Sequence, residues 1–201
     1  MSAPINKYTI SSNEEEGEVL PNLLGLITAE EIAEAEFLGF VEAHNTAVDE
    51  LTDDTQFNLS YLYTLHKNAF GSLYSFAGKL RTVNMSKENF SFPSAGFLAQ
   101  SMRDFEIEFL AQIKDVSDDV LLLVLLARMH AELLFIHPFR EGNGRTIRLF
   151  TNMIYLSKTG RELDFSILDK NLKTYIAAVQ QAAQKEYKLM ENLFLQMTDS
   201  L

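Results

Sequence analysis

Residues 137–148 read His-Pro-Phe-Arg-Glu-Gly-Asn-Gly-Arg-Thr-Ile-Arg. That stretch holds one imidazole, one carboxylate, three guanidinium groups and two glycines flanking an asparagine. Each type has a physical use. Gly142 and Gly144 let the backbone approach a ligand, and the N–H groups at a helix N-terminus form an anion site. Arg145 and Arg148 are three apart on the helix expected to follow, so they share a face and could grip successive phosphates. Glu141 can hold Mg²⁺, which takes one or two protein carboxylates plus phosphate oxygens. His137 has the ordinary pKa suited to removing a proton near neutral pH. Asn143 can donate to an oxygen that gains negative charge. Taken singly, these residues read as a Gly-rich turn with solvated arginines. Taken together they describe phosphoryl or nucleotidyl transfer, in which positioning and charge neutralisation carry most of the catalysis.

The elements that must position this stretch are mostly helical. Residues 1–25 are polar and broken by Pro4, Gly17, Pro21 and Gly25, and read as an arm. Thr28 followed by Glu31 forms a capping box, opening a helix that runs to about residue 51. A second helix is expected over 57–70. Between residues 78 and 93, Leu80, Val83, Met85, Phe90 and Phe92 alternate loosely with polar residues, as in a short hairpin. Helical spacing returns over 95–113. Ser117, Asp118 and Asp119 mark a helix start, because carboxylates favour the positive end of the helix dipole. The helix beyond them, to about 134, is apolar nearly all round and belongs at the centre of a bundle. Further helices are expected over 143–157, 166–184 and 185–197. The fold class is all-α with one small β element.

The 201 residues suffice for one domain with a real core. A net charge of −11 and the lack of a dense Lys/Arg stripe argue against nucleic acid, which needs a basic face. The partner is therefore a protein or a small molecule. With no cysteine, disulfides, thiolate metal sites and Cys nucleophiles are excluded. The longest apolar run, 120–126, is too short to span a bilayer, which takes about 20 residues. The polar, acidic N-terminus does not resemble a signal peptide, so the expected address is the cytoplasm, with no membrane partner.

Residues 137–148 match the signature H-P-F-x-[D/E]-G-N-G-R-x-x-R of Fic domains at every specified position, and the chain resembles that family over about 57–195. The stretch Phe76-Ala77-Gly78-Lys79-Leu80-Arg81 belongs to the resemblance, and 19–25 looks like a lead-in seen in one branch. The resemblance implies a Fic-fold helical bundle with a β-hairpin flap, divided as an arm over 1–27, a packed helix over 28–56 and the Fic domain over 57–197. It implies a protein adenylyltransferase that moves AMP from ATP to a Ser, Thr or Tyr hydroxyl of a target protein. By analogy His137 is the general base, Phe139 anchors the loop, and Glu141 holds Mg²⁺. Backbone N–H groups of Gly142, Asn143 and Gly144 cradle the anion, with Asn143 at the α-phosphate. Arg145 and Arg148 engage the outer phosphates. Val83, Asn84, Met85 and Phe90 on the flap align the target as an added strand. The Doc-like branch has lysine where this chain has Gly144 and transfers the γ-phosphoryl group, so Gly144 favours AMP. Relatives that move UMP or phosphocholine carry similar motifs.

Many Fic proteins carry an inhibitory [S/T]-x-x-x-E-[G/N] helix whose glutamate pairs with the second motif arginine. Ser12, Glu16 and Gly17 fit that pattern, but the cluster Glu14, Glu15, Glu16 and Glu18 also reads as an acidic solvated arm. Glu16→Gly is expected to raise self-modification if the brake is real. His44, His66 and His130 are scattered without metal-ligand spacing and read as structural. Two other functions fit the residues: a Fic module that binds nucleotide or a partner without turnover, and a hydrolase that removes AMP. A homodimer and a separate regulatory partner both stay open.

Overall fold

The structure, a computed structural model, describes residues 9–10, 19–87 and 90–197. Ser12 and Glu16 lie outside the described residues.

Helix α1 (Ala29–Asp49) starts as its sequence dictates: the Thr28 hydroxyl accepts from the Glu31 N–H, and the Glu31 carboxylate accepts from the Thr28 N–H at 3.1 Å. Helix α2 (Leu59–Phe70) is capped by Asn58, whose side chain accepts from Tyr61 N–H at 2.9 Å. The two helices pack extensively on each other. Contact is close because Gly39 lies against the Ala69 carbonyl, where a Cβ would collide. Ile32, Ala43, Ala69, Phe70 and Tyr74 bury a small core of their own here.

The expected hairpin consists of β2 (Met85–Lys87) and β3 (Phe90–Ser91), antiparallel, with Lys87 opposite Phe90. A third strand was not foreseen. β1 (Thr9–Ile10) comes from the arm and pairs antiparallel with β2, Thr9 opposite Ser86 and Ile10 opposite Met85. The sheet order is β1-β2-β3. Two residues are too few for alternation to register in a sequence, so the pairing is visible only in three dimensions.

Helix α3 (Leu98–Glu108) is shorter than the 95–113 expected, being flanked by tight turns at Ala95–Phe97 and Leu110–Gln112. Helix α4 (Asp119–Ile136) is capped by Asp118, not Ser117; the Asp118 carboxylate accepts from Leu121 N–H at 2.9 Å. Its first turn exposes Val120 and Leu121, and almost every residue from Leu122 onward is buried. Helices α8 (Lys188–Gln196) and α5 (Asn143–Thr159) are its main neighbours, which places α4 at the centre as its composition requires.

The single helix expected over 166–184 is broken. α6 (Ser166–Lys170) stops at Asn171, whose side-chain amide donates to the Ile167 carbonyl at 2.9 Å. Asparagine competes for the backbone in this way and interrupts helices. α7 (Leu172–Gln181) then resumes and ends in a tight turn at Ala182–Gln184. No helix among the described residues is long and apolar enough to cross a membrane.

Candidate active site

The loop between α4 and α5 starts at His137, which caps α4 in a left-handed conformation (φ 52°) and donates its N–H to Leu133 at 2.9 Å. A residue with a Cβ rarely adopts that conformation, and it persists only when neighbours hold it. Arg81 does so: its Nε donates to the His137 carbonyl at 2.8 Å. His137 Nδ1 lies 3.2 Å from the Leu134 carbonyl. A carbonyl only accepts, so Nδ1 carries the proton and Nε2 is the basic nitrogen. Burial pushes the imidazole down to about 3; the Leu134 carbonyl opposes this, and the Arg81 and Lys87 cations add to it. The ring is therefore neutral near pH 7. Phe92 stacks on it with centroids 4.0 Å apart.

Phe139 is fully buried and stacks on His66 at 3.9 Å. Gly78 N–H donates to His66 Nδ1 at 2.8 Å, which leaves Nε2–H to donate to the Glu141 carbonyl at 2.9 Å. Burial lowers the His66 pKa to about 4, with the Glu141 carbonyl opposing. Asn143 closes the loop, its Oδ1 accepting from Phe139 N–H at 2.9 Å and its Nδ2 donating to the Phe139 carbonyl at 2.8 Å. Gly142 (φ 75°) has its α-hydrogen against the Phe70 ring, where a Cβ would collide.

Helix α5 presents both arginines. Arg145 Nη2 donates to Glu36 Oε2 at 2.7 Å and lies 3.8 Å from Glu141 Oε1, with the guanidinium over Phe70. Arg148 Nη2 donates to Asp169 Oδ1 at 2.8 Å, and its guanidinium lies over Phe165 and Tyr175. Beneath it runs a buried chain: Thr151 Oγ1 and His130 Nδ1 are 3.1 Å apart, and His130 Nε2 and the Tyr175 hydroxyl 2.8 Å.

A cavity of about 400 Å³ is lined by His137, Gly144, Arg145 and Arg148, with Phe90 on the flap side and Tyr175 on α7. That size suits a nucleotide. The first turn of α5 adds the N–H groups of Asn143, Gly144 and Arg145, which no intrahelical carbonyl can take. The Asn143 side chain is buried, with its Oδ1 and one of its two Nδ2 protons engaged by Phe139. Gly142 N–H is likewise engaged, donating to Glu141 Oε1 at 3.0 Å.

Among the flap residues, Phe90 lines the cavity. Met85 is buried, Asn84 Oδ1 accepts from Ala95 N–H at 2.8 Å, and the Val83 carbonyl accepts from Arg81. These three build the flap and stand outside the cavity lining. Among the described residues no cluster of three or more His, Asp or Glu side chains could hold a metal. Glu141 is a single carboxylate, and one hard oxygen ligand is a set that Mg²⁺ accepts when substrate phosphates complete its shell. Sequence reasoning missed Arg81, His66, Phe92, Tyr175, Asp169 and Glu36. Phe92 carried a usable signal, its place in the alternating flap. The others act through long-range pairs that no local pattern announces.

A model of the Fic/DOC family matches residues 56–155. The chain is similar to the protein adenylyltransferase VbhT of Bartonella schoenbuchensis, 29% identical over 136 residues, covering 66% of this chain and 28% of that one. It is 28% identical over 153 residues to the probable protein adenylyltransferase y4lH of Sinorhizobium fredii, covering 75% and 77%. The crystal structure of BepC, a VirB-translocated effector protein of Bartonella tribocorum with bound AMPPNP, superposes with a TM-score of 0.73 at 20% identity, over 92% of this chain and 94% of that one. This chain thus spans little more than a quarter of VbhT but most of y4lH. On the motif, the matched stretch and the fold, the chain belongs to the Fic/DOC family.

Proposed function

We propose that this chain transfers AMP from ATP to a hydroxyl group of a protein. The observation that carries the reading is that the His137 imidazole and the Arg145 and Arg148 guanidiniums line one cavity at the N-terminus of α5. The names of two relatives and the AMPPNP bound to BepC support the donor.

In this reading the triphosphate lies along the first turn of α5. Arg145 and Arg148 hold the outer phosphates, and the N–H groups at residues 143–145 meet the anion. The acceptor hydroxyl gives its proton to Nε2 of His137 as its oxygen attacks the α-phosphorus. The bond from that phosphorus to the α,β-bridging oxygen breaks, and pyrophosphate leaves. Mg²⁺, held by Glu141 when bound, supplies charge neutralisation on the phosphates. Phe92 and Phe90 close the flap side and keep the imidazole facing the cavity. Strand addition by the target uses the outer edge of β3 or displaces β1, because β2 is already paired on both sides.

Incubation with α-labelled and γ-labelled ATP, with and without His137→Ala, tests the proposal. Protein-bound label from α alone, lost in His137→Ala, is expected. Label from γ alone means phosphorylation, and label from neither means a binding module or a hydrolase.

A further inference from the structure

Arg145 reaches outside the family-matched stretch to a helix that precedes it. Glu36, on α1, accepts from Arg145 Nη2 at 2.7 Å through Oε2, and from the Tyr74 hydroxyl at 2.8 Å through Oε1. Its side chain is 12% exposed, against 33% for that of Arg145. The guanidinium carbon sits 4.9 Å from the centre of the Phe70 ring. Arg145 is thus fixed on one edge by a carboxylate and on one face by an aromatic ring. A guanidinium has five donors in a rigid plane, so one edge on Glu36 leaves others for the cavity that Arg145 lines.

We propose that Glu36 is a positioning residue for the outer-phosphate site, which makes α1 part of the active site; this rests on the nucleotide-binding reading above. Glu36 holds the Arg145 side chain extended over Phe70, in place before a phosphate arrives. Its rotamer freedom is then given up on folding, so binding does not have to order the side chain. The opposite role, a carboxylate that competes with phosphate for Arg145, conflicts with the surroundings. A competitor must release its cation, and release would leave Glu36 as a largely buried charge with only a tyrosine hydroxyl for company. The close approach of α1 to α2 at Gly39, and the Tyr74 hydroxyl on the far oxygen, hold the carboxylate where it is.

The test compares the wild-type chain with Glu36→Gln and Tyr74→Phe, by calorimetric titration of ATP and of AMP in the presence of Mg²⁺. AMP lacks the outer phosphates and is the control. Loss of one charge-assisted contact is expected to weaken ATP binding by about tenfold in Glu36→Gln. Tyr74→Phe is expected to do the same more weakly, and AMP binding to stay unchanged in both. KM for ATP rises while kcat changes little. ATP binding equal to or tighter than wild type in folded Glu36→Gln overturns the proposal, and so does an equal loss for ATP and AMP. Wild-type protein that binds neither nucleotide overturns the functional reading itself. If Glu36→Gln does not fold, Tyr74→Phe alone decides by the same criteria.

Discussion

Arg81 Nε donates to the carbonyl of His137 at 2.8 Å, while its two terminal nitrogens reach the carbonyls of Val83 and Pro93, both at 2.6 Å. One buried guanidinium therefore ties both ends of the flap to the backbone of His137. The Arg81 backbone N–H adds a bond to the Pro138 carbonyl at 2.8 Å. Burial lowers the Arg81 pKa to about 10, and the group stays charged at neutral pH. Arg81→Met keeps most of the bulk and strands those carbonyls. The expected cost is about 3 kcal/mol in urea unfolding, from several buried acceptors left unpaired. Transfer is expected to fall by more than about tenfold at a temperature where the variant is folded, because the flap no longer holds Phe92 on His137. Unchanged transfer in the folded variant would show that the flap positions itself.

The two glycines of the motif should respond oppositely to alanine. At Gly144 nothing lies within 4 Å of an added Cβ, and the residue is in the first turn of α5. Gly144→Ala is expected to raise stability by up to about 1 kcal/mol through helix propensity. It should nonetheless depress ATP binding, because the methyl group enters the cavity that Gly144 lines. At Gly142 an alanine meets both a φ of +75° and the Phe70 ring. Gly142→Ala is expected to lose about 1–3 kcal/mol. Thermal unfolding and nucleotide titration of both variants check the contrast. A stabilised Gly144→Ala that still binds ATP normally would remove the phosphate from the first turn of α5.

Three buried histidines each make folding less favourable in acid. Burial lowers His66 to about 4 and His130 and His137 to about 3, from an ordinary value near 6.5. Between pH 6.5 and 4 the unfolded chain holds protons on these rings that the folded chain does not. Stability therefore falls as pH falls through that window and is level above it, as far as these groups are concerned. The slope approaches about 1.4 kcal/mol per pH unit for each ring, or about 4 for the three. Below pH 4 His66 takes its proton in the folded state as well, and the slope eases. Urea unfolding from pH 8 to 4 measures this, and a flat curve between 6.5 and 5 would contradict it.

The parts of the site that were legible in the sequence are those fixed by near neighbours. The Thr28–Glu31 capping box spans three residues, the apolar run of α4 is continuous, and the loop 137–148 carries its chemistry in one stretch. What escaped depends on partners far apart in the chain. Glu36 meets Arg145 across 109 residues, Arg81 meets His137 across 56, and His66 meets Glu141 across 75. A glutamate on a helix face or a histidine on an apolar one looks the same whether or not such a partner exists. His66 read as structural, and it is packed in the core, yet its tautomer is set by Gly78 and its free N–H fixes the backbone of the loop. The break at Asn171 was hidden for a different reason: the helical spacing continues through it, and only the asparagine amide turning onto Ile167 separates α6 from α7.

The second motif arginine is held from two sides, and the directions of the hydrogen bonds beneath it are determined. Thr151 Oγ1 donates its one proton to the Ile147 carbonyl at 2.7 Å, so toward His130 it can only accept. His130 Nδ1 therefore carries the proton, and Nε2 accepts from the Tyr175 hydroxyl at 2.8 Å. The oxygen of Tyr175 keeps its lone pairs for the cation above it, Arg148. Asp169, 62% exposed, grips the same guanidinium from the surface. Tyr175→Phe keeps the ring and leaves a buried nitrogen unpaired, at a cost of about 1–3 kcal/mol. Either Tyr175→Phe or Asp169→Asn leaves Arg148 one anchor, and KM for ATP is expected to rise about threefold in each, with kcat nearly unchanged. In the double variant the guanidinium loses both, and the rise should exceed the product of the single effects by about threefold or more. Steady-state kinetics on the four proteins measure that coupling. A strictly multiplicative result would mean that Tyr175 and Asp169 act on different groups, and that Arg148 needs no buried support to meet a phosphate.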